Sequence, residues 1–355
     1  MLRLEARPEP SQLMRALTPV LAVALTILAG GILFAFLGKD PVAATRIIFI
    51  EPLFDPYARS ELLVKGAPLL LIALGLSLGF RAGVWNIGAE GQFVMGGIAA
   101  SAVALAFYEV PGLWLLPLMA LAALLAGFLW AMIPALLRTR FNTSEILVSL
   151  MLVYVAIQFL NAMVFGPLKN PEGFAFPGSR NFHDSALLPK PFDWFRVHLG
   201  VYVTLLLVPV AHLLLGNHIL GFRIRLAGEA PKAARFAGVA ESRIILVCLG
   251  LSGAAAGLAG MFEAAGPAEQ ITQSFPTGYG FTAIIVAYLG RLRPVGILLA
   301  SMILALTYVG GEAAQYGIGV PAAAIRTFQG LLLFFLLGLD LFVRYRVRSF
   351  RLEVA

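Results

Sequence analysis

The sequence predicts an all-α, polytopic integral membrane protein of about ten transmembrane helices. Three observations carry this prediction. Apolar residues make up 60% of the 355-residue chain and charged residues 13%, about half the roughly 25% charge of a soluble globular protein. Apolar runs close to the roughly 20 residues that a crossing helix needs recur along the chain. The 26 lysines and arginines gather mostly in alternate loops, which is how chains obeying the positive-inside rule distribute them.

Residues 1–16 carry Arg3, Arg7 and Arg15 and read as a cytoplasmic segment before a first span at 17–37. That run is long for a signal peptide and has no small-x-small cleavage site after it, so it is expected to stay as a helix. Residues 38–61 mix Asp40, Glu51, Asp55 and Glu61 with prolines and read as an external loop with a short interfacial helix. Spans are then expected at 62–80, 84–107, 113–137 and 146–165. A polar external loop at 166–198 ends in Phe192, Trp194 and Phe195, aromatic residues that favour the membrane interface. Spans at 199–215 and 244–266 flank a basic loop at 216–243, and the last three fall at 278–290, 295–310 and 322–343. At 1.5 Å per residue the 278–290 segment is too short to cross alone. It must begin earlier, lie partly re-entrant, or be shielded by neighbours.

This arrangement makes 17–343 one transmembrane domain, followed by a basic tail at 344–355, with both termini cytoplasmic. Arg138 with Arg140, and Arg291 with Arg293, then all fall on the inner side. The net charge of +7 is thereby explained by topology, and no nucleic-acid partner is expected. Cys248 is the single cysteine, and His183, His198, His212 and His218 are scattered without a second ligand type at metal spacing, so neither a disulfide nor a metal site is expected. Spans two to five and seven to ten are compatible with an inverted repeat, each half holding one glycine-rich, polar-interrupted region.

The stretch at 80–97, FRAGVWNIGAEGQFVMGG, sets Asn86, Glu90 and Gln92 between two apolar segments. A carboxylate at the bilayer centre costs roughly 2.5–3.5 kcal/mol on insertion scales, so such residues usually face a bundle interior or a wet pathway. Dense glycine there favours a helix break, and broken helices near mid-membrane line transport pathways. Asn86 and Glu90 are the leading pathway candidates, Gln92 accompanies them, and Glu90 could instead pair with Arg81 or cap a broken helix. Phe275, Tyr279, Phe281 and Tyr288 suit either stacking on a solute ring or ordinary helix packing. In GLSGAAAGLAG, Gly253 and Gly257 form a GxxxG that allows close helix approach, within the chain in preference to a seam between chains.

In the basic loop, GEAPKAARFAG has Gly228, Glu229, Pro231, Arg235 and Gly238 in the order of a short helix, with proline in the first turn and glycine just past the end. Held between two spans on the inner face, it could take a push from a partner protein or lie on lipid headgroups. No GxxxxGK[ST] occurs; the one Gly-Lys pair, Gly38-Lys39, is followed by Asp40. ATP-powered transport would need a separate ATPase chain.

FRAGVWNIGAEGQFVMGG, NTSEILVSLMLVYVA from Asn142, GFRIRLAGEAPKAARFAGV from Gly221 and GYGFTAIIVAYLGRLRPVGI from Gly278 together resemble the permease subunits of binding-protein-dependent ABC importers. The branch they resemble serves nucleosides and simple sugars and is related to the branched-chain amino acid permeases. The resemblance covers most of the chain from about Leu62 to Val343 and implies several partners: a second related permease chain, a cytoplasmic ABC ATPase that uses the ATP, and an external or periplasmic solute-binding protein. By position, Glu229 to Gly238 matches the segment that docks on the ATPase, and Glu145 stands as the acid of the second block.

The expected function is that of a non-enzymatic permease in the inner membrane, binding no cofactor itself, that carries a nucleoside or related small polar solute by alternating access. Simple sugars and branched-chain amino acids remain open as solutes. A proton-coupled secondary transporter using Glu90 or Glu263 is the alternative from another class.

Overall fold

The computed structural model describes residues 2–7, 11–110, 112–173, 176–192 and 195–349; Trp194 and the end of the basic tail lie outside the described residues. Two compact units emerge, one of residues 60–305 and one drawn from the two ends of the chain, up to 59 and from 306.

The unit built from the chain ends holds β1 (Leu2–Ala6), α1 (Gln12–Phe36), α2 (Pro41–Phe49) and α3 (Glu51–Phe54). Ser11 starts α1 by accepting the Met14 N–H at 3.3 Å, and Asp40 starts α2 by accepting the Val42 N–H at 2.8 Å with Pro41 in the first turn. Phe34, Ile48, Ile325 and Phe328 form its core, the Phe34 and Phe328 rings stacking at 6.0 Å. β1 pairs antiparallel with β2 (Tyr345–Ser349), and Arg346 meets Glu5 at 3.0 Å. This strand pair is an addition to the expected all-helical chain. It brings the two ends of the chain together.

The larger unit runs α4 (Pro56–Arg81), α5 (Ala89–Ala106), α6 (Leu115–Phe141), α7 (Glu145–Phe165), α8 (Leu199–Gly216), α9 (Ile219–Glu229), α10 (Pro231–Phe236), α11 (Glu241–Glu263) and α12 (Tyr279–Leu289). A π-helical turn, Ala264–Ala268, continues α11. The boundary between units falls inside α4 and inside α13 (Pro294–Ile318), and α14 (Ala322–Arg344) ends the helical part. Within the best apolar window of each helix, 89% of α4 is enclosed by protein against 22% of α6 and of α7. α4 is therefore a central element, while most of the apolar surface of α6 and α7 is left uncovered by this chain.

The glycines of α11 act inside the chain. A Cβ on Gly253 would overlap the Gly127 carbonyl of α6, and one on Gly257 the Ala123 carbonyl; Gly96 of α5 abuts Gly257 in the same way. Three helix backbones thus approach too closely for any side chain, the packing that GxxxG spacing permits in a membrane.

Among the described residues, nine helices are long and apolar enough to cross a membrane, and α12 is a shorter apolar helix. The short eighth span of the sequence reading is therefore a real feature. The third differs from its expected bounds: helix begins at Ala89 and not at 84, because residues 82–88 leave the helical conformation after Arg81. Residues 38–61, expected as a loop with one short helix, hold α2, α3 and the start of α4.

Candidate functional site

The non-helical run at 82–88 must find other partners for its backbone donors. Ala82, Gly83 and Val84 donate back to the Gly79 and Phe80 carbonyls at the end of α4, and the next donors turn to α7. The Trp85 N–H donates to Glu145 Oε1 at 3.2 Å and the Ile87 N–H to Ser149 Oγ at 3.3 Å, while Glu145 also pairs with Arg138 of α6. Both acceptors lie in the NTSEILVS block, which explains why an acid and a serine stand there. The Gly88 N–H donates to Asn86 Oδ1 at 3.0 Å, closing the run just before α5.

Asn86 then ties the break to two helices. Its Nδ2 donates to Gln92 Oε1 at 2.8 Å and to Ser252 Oγ of α11 at 3.0 Å, and Gln92 Nε2 returns a bond to Asn86 Oδ1 at 3.1 Å. Asn86, Glu90 and Gln92 are each 1% exposed. Such a network is favourable only when satisfied, since each unmet buried group costs about 1–3 kcal/mol.

Glu90 has a different task. Its carboxylate accepts the Gly278 N–H at 2.8 Å and the Gly280 N–H at 2.6 Å, so it caps the first turn of α12. Helix N-termini leave N–H groups unsatisfied and carry a partial positive charge, which makes a buried carboxylate their natural partner. Of the readings open in the sequence, the structure contains a cap, made on a helix 188 residues further on. Arg81, by contrast, points its Nε and Nη2 to the Leu292 carbonyl at 3.0 and 2.6 Å. The first turns of α5 and α12, second elements of the two expected half-repeats, thus meet directly. α12 is about 16 Å long and ends just before Arg291, which sets this junction about half a hydrocarbon thickness from the Arg291 end of the bundle.

Tyr279 is buried at the same junction and meets Phe93 edge-on at 5.9 Å, while Phe93 stacks on Phe275 at 5.1 Å. Tyr288 stacks on Phe80 and Trp85. Three of the four aromatics considered for solute stacking are therefore packed on rings of this chain; Phe281 is partly exposed.

The second candidate region is the turn from α9 to α10. Pro231 occupies the first turn of α10 and Gly238 follows it in the left-handed region at φ +74°, as the spacing predicts. Arg235 meets Glu241 at 2.9 Å, joining α10 to the start of α11, and Gly228 and Glu229 are exposed. Gly228 abuts the chain where α4 ends: a Cβ there would overlap the Arg81 carbonyl. Phe236 is 94% exposed, a bare aromatic ring on a basic helix. Sequence reasoning passed over Ser149, Ser252, the Arg81 to Leu292 bond and Phe236. Each lies in a block quoted above, Ser149 in NTSEILVSLMLVYVA, Ser252 in GLSGAAAGLAG, Leu292 in GYGFTAIIVAYLGRLRPVGI and Phe236 in GEAPKAARFAG, yet nothing local distinguishes it from its neighbours there.

A family model described as the branched-chain amino acid transport system permease component matches residues 58–337. The chain belongs to this permease family. It is a multi-pass membrane transport component and not an enzyme. The match begins near the start of α4 and closes within α14, so both regions described above lie inside the permease core. The chain is 38% identical over 340 residues to a glucose ABC transporter permease protein of Haloferax volcanii, covering 93% of this chain and 89% of that one. It is 31% identical to a guanosine ABC transporter permease protein of Bacillus subtilis, over 91% of this chain and 93% of the relative. A second guanosine permease protein of Bacillus subtilis is 30% identical over 68% of this chain and 77% of its own length. No solved structure matches the permease.

Proposed function

We propose that this permease forms half of the membrane pathway of an ATP-driven importer, carrying a nucleoside or related small polar solute by alternating access. In this reading the pathway passes the junction of α5 and α12, and Asn86, Glu90, Gln92 and Tyr279 hold its wall by fixing the two half-helices against each other. The observation that carries the mechanism is Gly228 seated on the Arg81 carbonyl. A push on α10 then passes through α9 to the end of α4 and into the break at 82–88, without a flexible link between. Gly228, Glu229, Pro231, Arg235 and Gly238 build that lever, and the exposed Phe236 ring offers a contact for a cytoplasmic ATPase. Both chain ends would lie on that cytoplasmic side.

A second, related permease chain would complete the pathway, a reading supported by the two guanosine permeases of one organism that both resemble this chain. An external binding protein would deliver the solute. A simple sugar is the second reading for the solute, favoured by the 38% identity to the glucose permease. Uptake of labelled guanosine and labelled glucose, each competed by the other, in cells with and without this chain, tests both. ATP-dependent guanosine uptake that only nucleosides compete supports the first reading, and glucose uptake the second. Uptake that survives ATP depletion and collapses with the proton gradient overturns the importer.

A further inference from the structure

A cavity of about 530 Å³ opens where α4, α8, α9 and α13 come together, lined by Arg81, His212, Leu215, Arg225, Arg293 and Val295 among others. The arginines come from three separate parts of the chain: the last residue of α4, the middle of α9, and the residue before Pro294 at the start of α13. Arg225 and Arg293 lie close enough for their charges to repel the Arg81 guanidinium, and Glu229 is the acid close enough to attract it. Like charges brought together cost energy unless an anion joins them. Arg81 is held in place by the Leu292 carbonyl, whereas Arg225 and Arg293 are exposed and have no ion pair among the described residues.

Two further features specify the ligand. Pro294, Val295 and Gly296, the first turn of the 25-residue α13, line one wall; proline has no N–H, so the amides of Val295 and Gly296 and the positive potential of the helix end are what would suit phosphate oxygens there. The exposed Val295 side chain supplies apolar surface beside the charges. Arg81 and Gly216 are the last residues of two spans and Pro294 the first of a third, so the cavity sits at the depth of lipid headgroups. Its volume falls within the usual 300–1,000 Å³ of small-ligand sites.

We propose that this cavity binds a phosphate group between Arg81, Arg225 and Arg293, carried by an anionic phospholipid whose acyl chains pass the exposed Val295 side chain. Guanidinium groups recognise phosphate through paired, charge-assisted hydrogen bonds. Occupied, the site would tie α9, and with it the Gly228 contact, to the ends of α4 and α13.

The test is native mass spectrometry of the full chain in non-ionic detergent, titrated with phosphatidylglycerol or phosphatidylcholine, and separately with inorganic phosphate and ATP as competitors. Micelles have no sides, so the result does not depend on how the chain is inserted or on what it transports. One tightly retained phosphatidylglycerol per chain is expected, weakened about tenfold by Arg225→Ala or Arg293→Ala and unchanged by Arg140→Ala. Arginine-dependent binding of inorganic phosphate or ATP in preference to the lipid would keep the site and assign its ligand to a free phosphate. Equal retention of both lipids by all variants, with no arginine-dependent phosphate binding, overturns the proposal. Because Arg225 and Arg293 are exposed, their variants are expected to keep the wild-type elution profile. Loss of that profile in both would itself contradict the assignment of these side chains to ligand binding.

Discussion

Replacing Glu90 by alanine removes the acceptor of two buried N–H groups at once. The Gly278 and Gly280 amides, at 2.8 and 2.6 Å from the carboxylate, would be left without a partner in an apolar interior. At about 1–3 kcal/mol for each unmet group, the loss is about 2–6 kcal/mol, concentrated in the first turn of α12. Glu90→Gln keeps one carbonyl oxygen as acceptor but presents an NH2 to the other amide, so it should lose about half as much. Hydrogen exchange read by mass spectrometry over 276–282 isolates the effect from global stability. A local loss of 2 kcal/mol or more is at least about a 30-fold rise in exchange, with Glu90→Gln intermediate. Unchanged protection in Glu90→Ala would refute the capping argument. If uptake were also abolished in that fully protected variant, Glu90 would instead be a contact for the solute.

Gly228→Val drives a branched side chain into the Arg81 carbonyl; a stability loss of about 1–3 kcal/mol and ATPase activity no longer coupled to uptake are expected in the reconstituted importer. Arg235→Ala removes an ion pair between side chains 72% and 49% exposed, so thermal stability should change by less than about 1 kcal/mol, while coupling of ATPase activity to transport falls; normal coupling would remove Arg235 from the lever. Gly257→Leu should prevent α5, α6 and α11 from closing, seen as aggregation on size exclusion. His198, just before α8, is buried by its surroundings and faces Lys190, which together lower its pKa from 6.5 to about 4. Both ring nitrogens lack a hydrogen-bond partner among the described residues, and Glu61, Arg196 and Glu269 also line its surroundings. The unfolded chain then takes up this proton more readily, so stability is complete above pH 6.5 and is lost as pH falls towards 4, by about 2 kcal/mol at pH 5. Melting curves of the wild type and His198→Gln at pH 7.5 and 5 check the sign: the variant should lose less.

Hydropathy locates the spans because crossing a bilayer imposes length and apolarity on each helix independently of its neighbours. The glycines of 80–97 signal the break, but hydropathy resumes the helix at 84 and not at 89 for the same reason: Val84, Trp85 and Ile87 are apolar and extend the run, while the groups that stabilise the non-helical backbone, Glu145 and Ser149, lie 60 and 62 residues away. The glycines of α11 and the short α12 are legible because spacing and length are local properties. The partner of Glu90 is not, since backbone amides leave no mark in a sequence. The α10 helix is legible from proline and glycine alone, yet the seat of Gly228 on α4 depends on how two distant segments pack.

These facts order the parts of the proposed mechanism. The α5–α12 junction is buried, closely packed and held by two hydrogen bonds to Glu90, so it suits a fixed wall better than a moving gate. The break at 82–88 differs: its Trp85 and Ile87 bonds are single, made at 3.2 and 3.3 Å to side chains of α7, and it begins at Arg81, where α9 presses. A displacement entering at α10 therefore meets its weakest resistance between Arg81 and Gly88. Ser149→Ala removes one of those bonds without touching the junction. Its expected result is a higher basal ATPase rate in the reconstituted importer with protection of 276–282 unchanged. A loss of that protection would mean that the break and the junction move as one body, and the hinge would have to lie elsewhere.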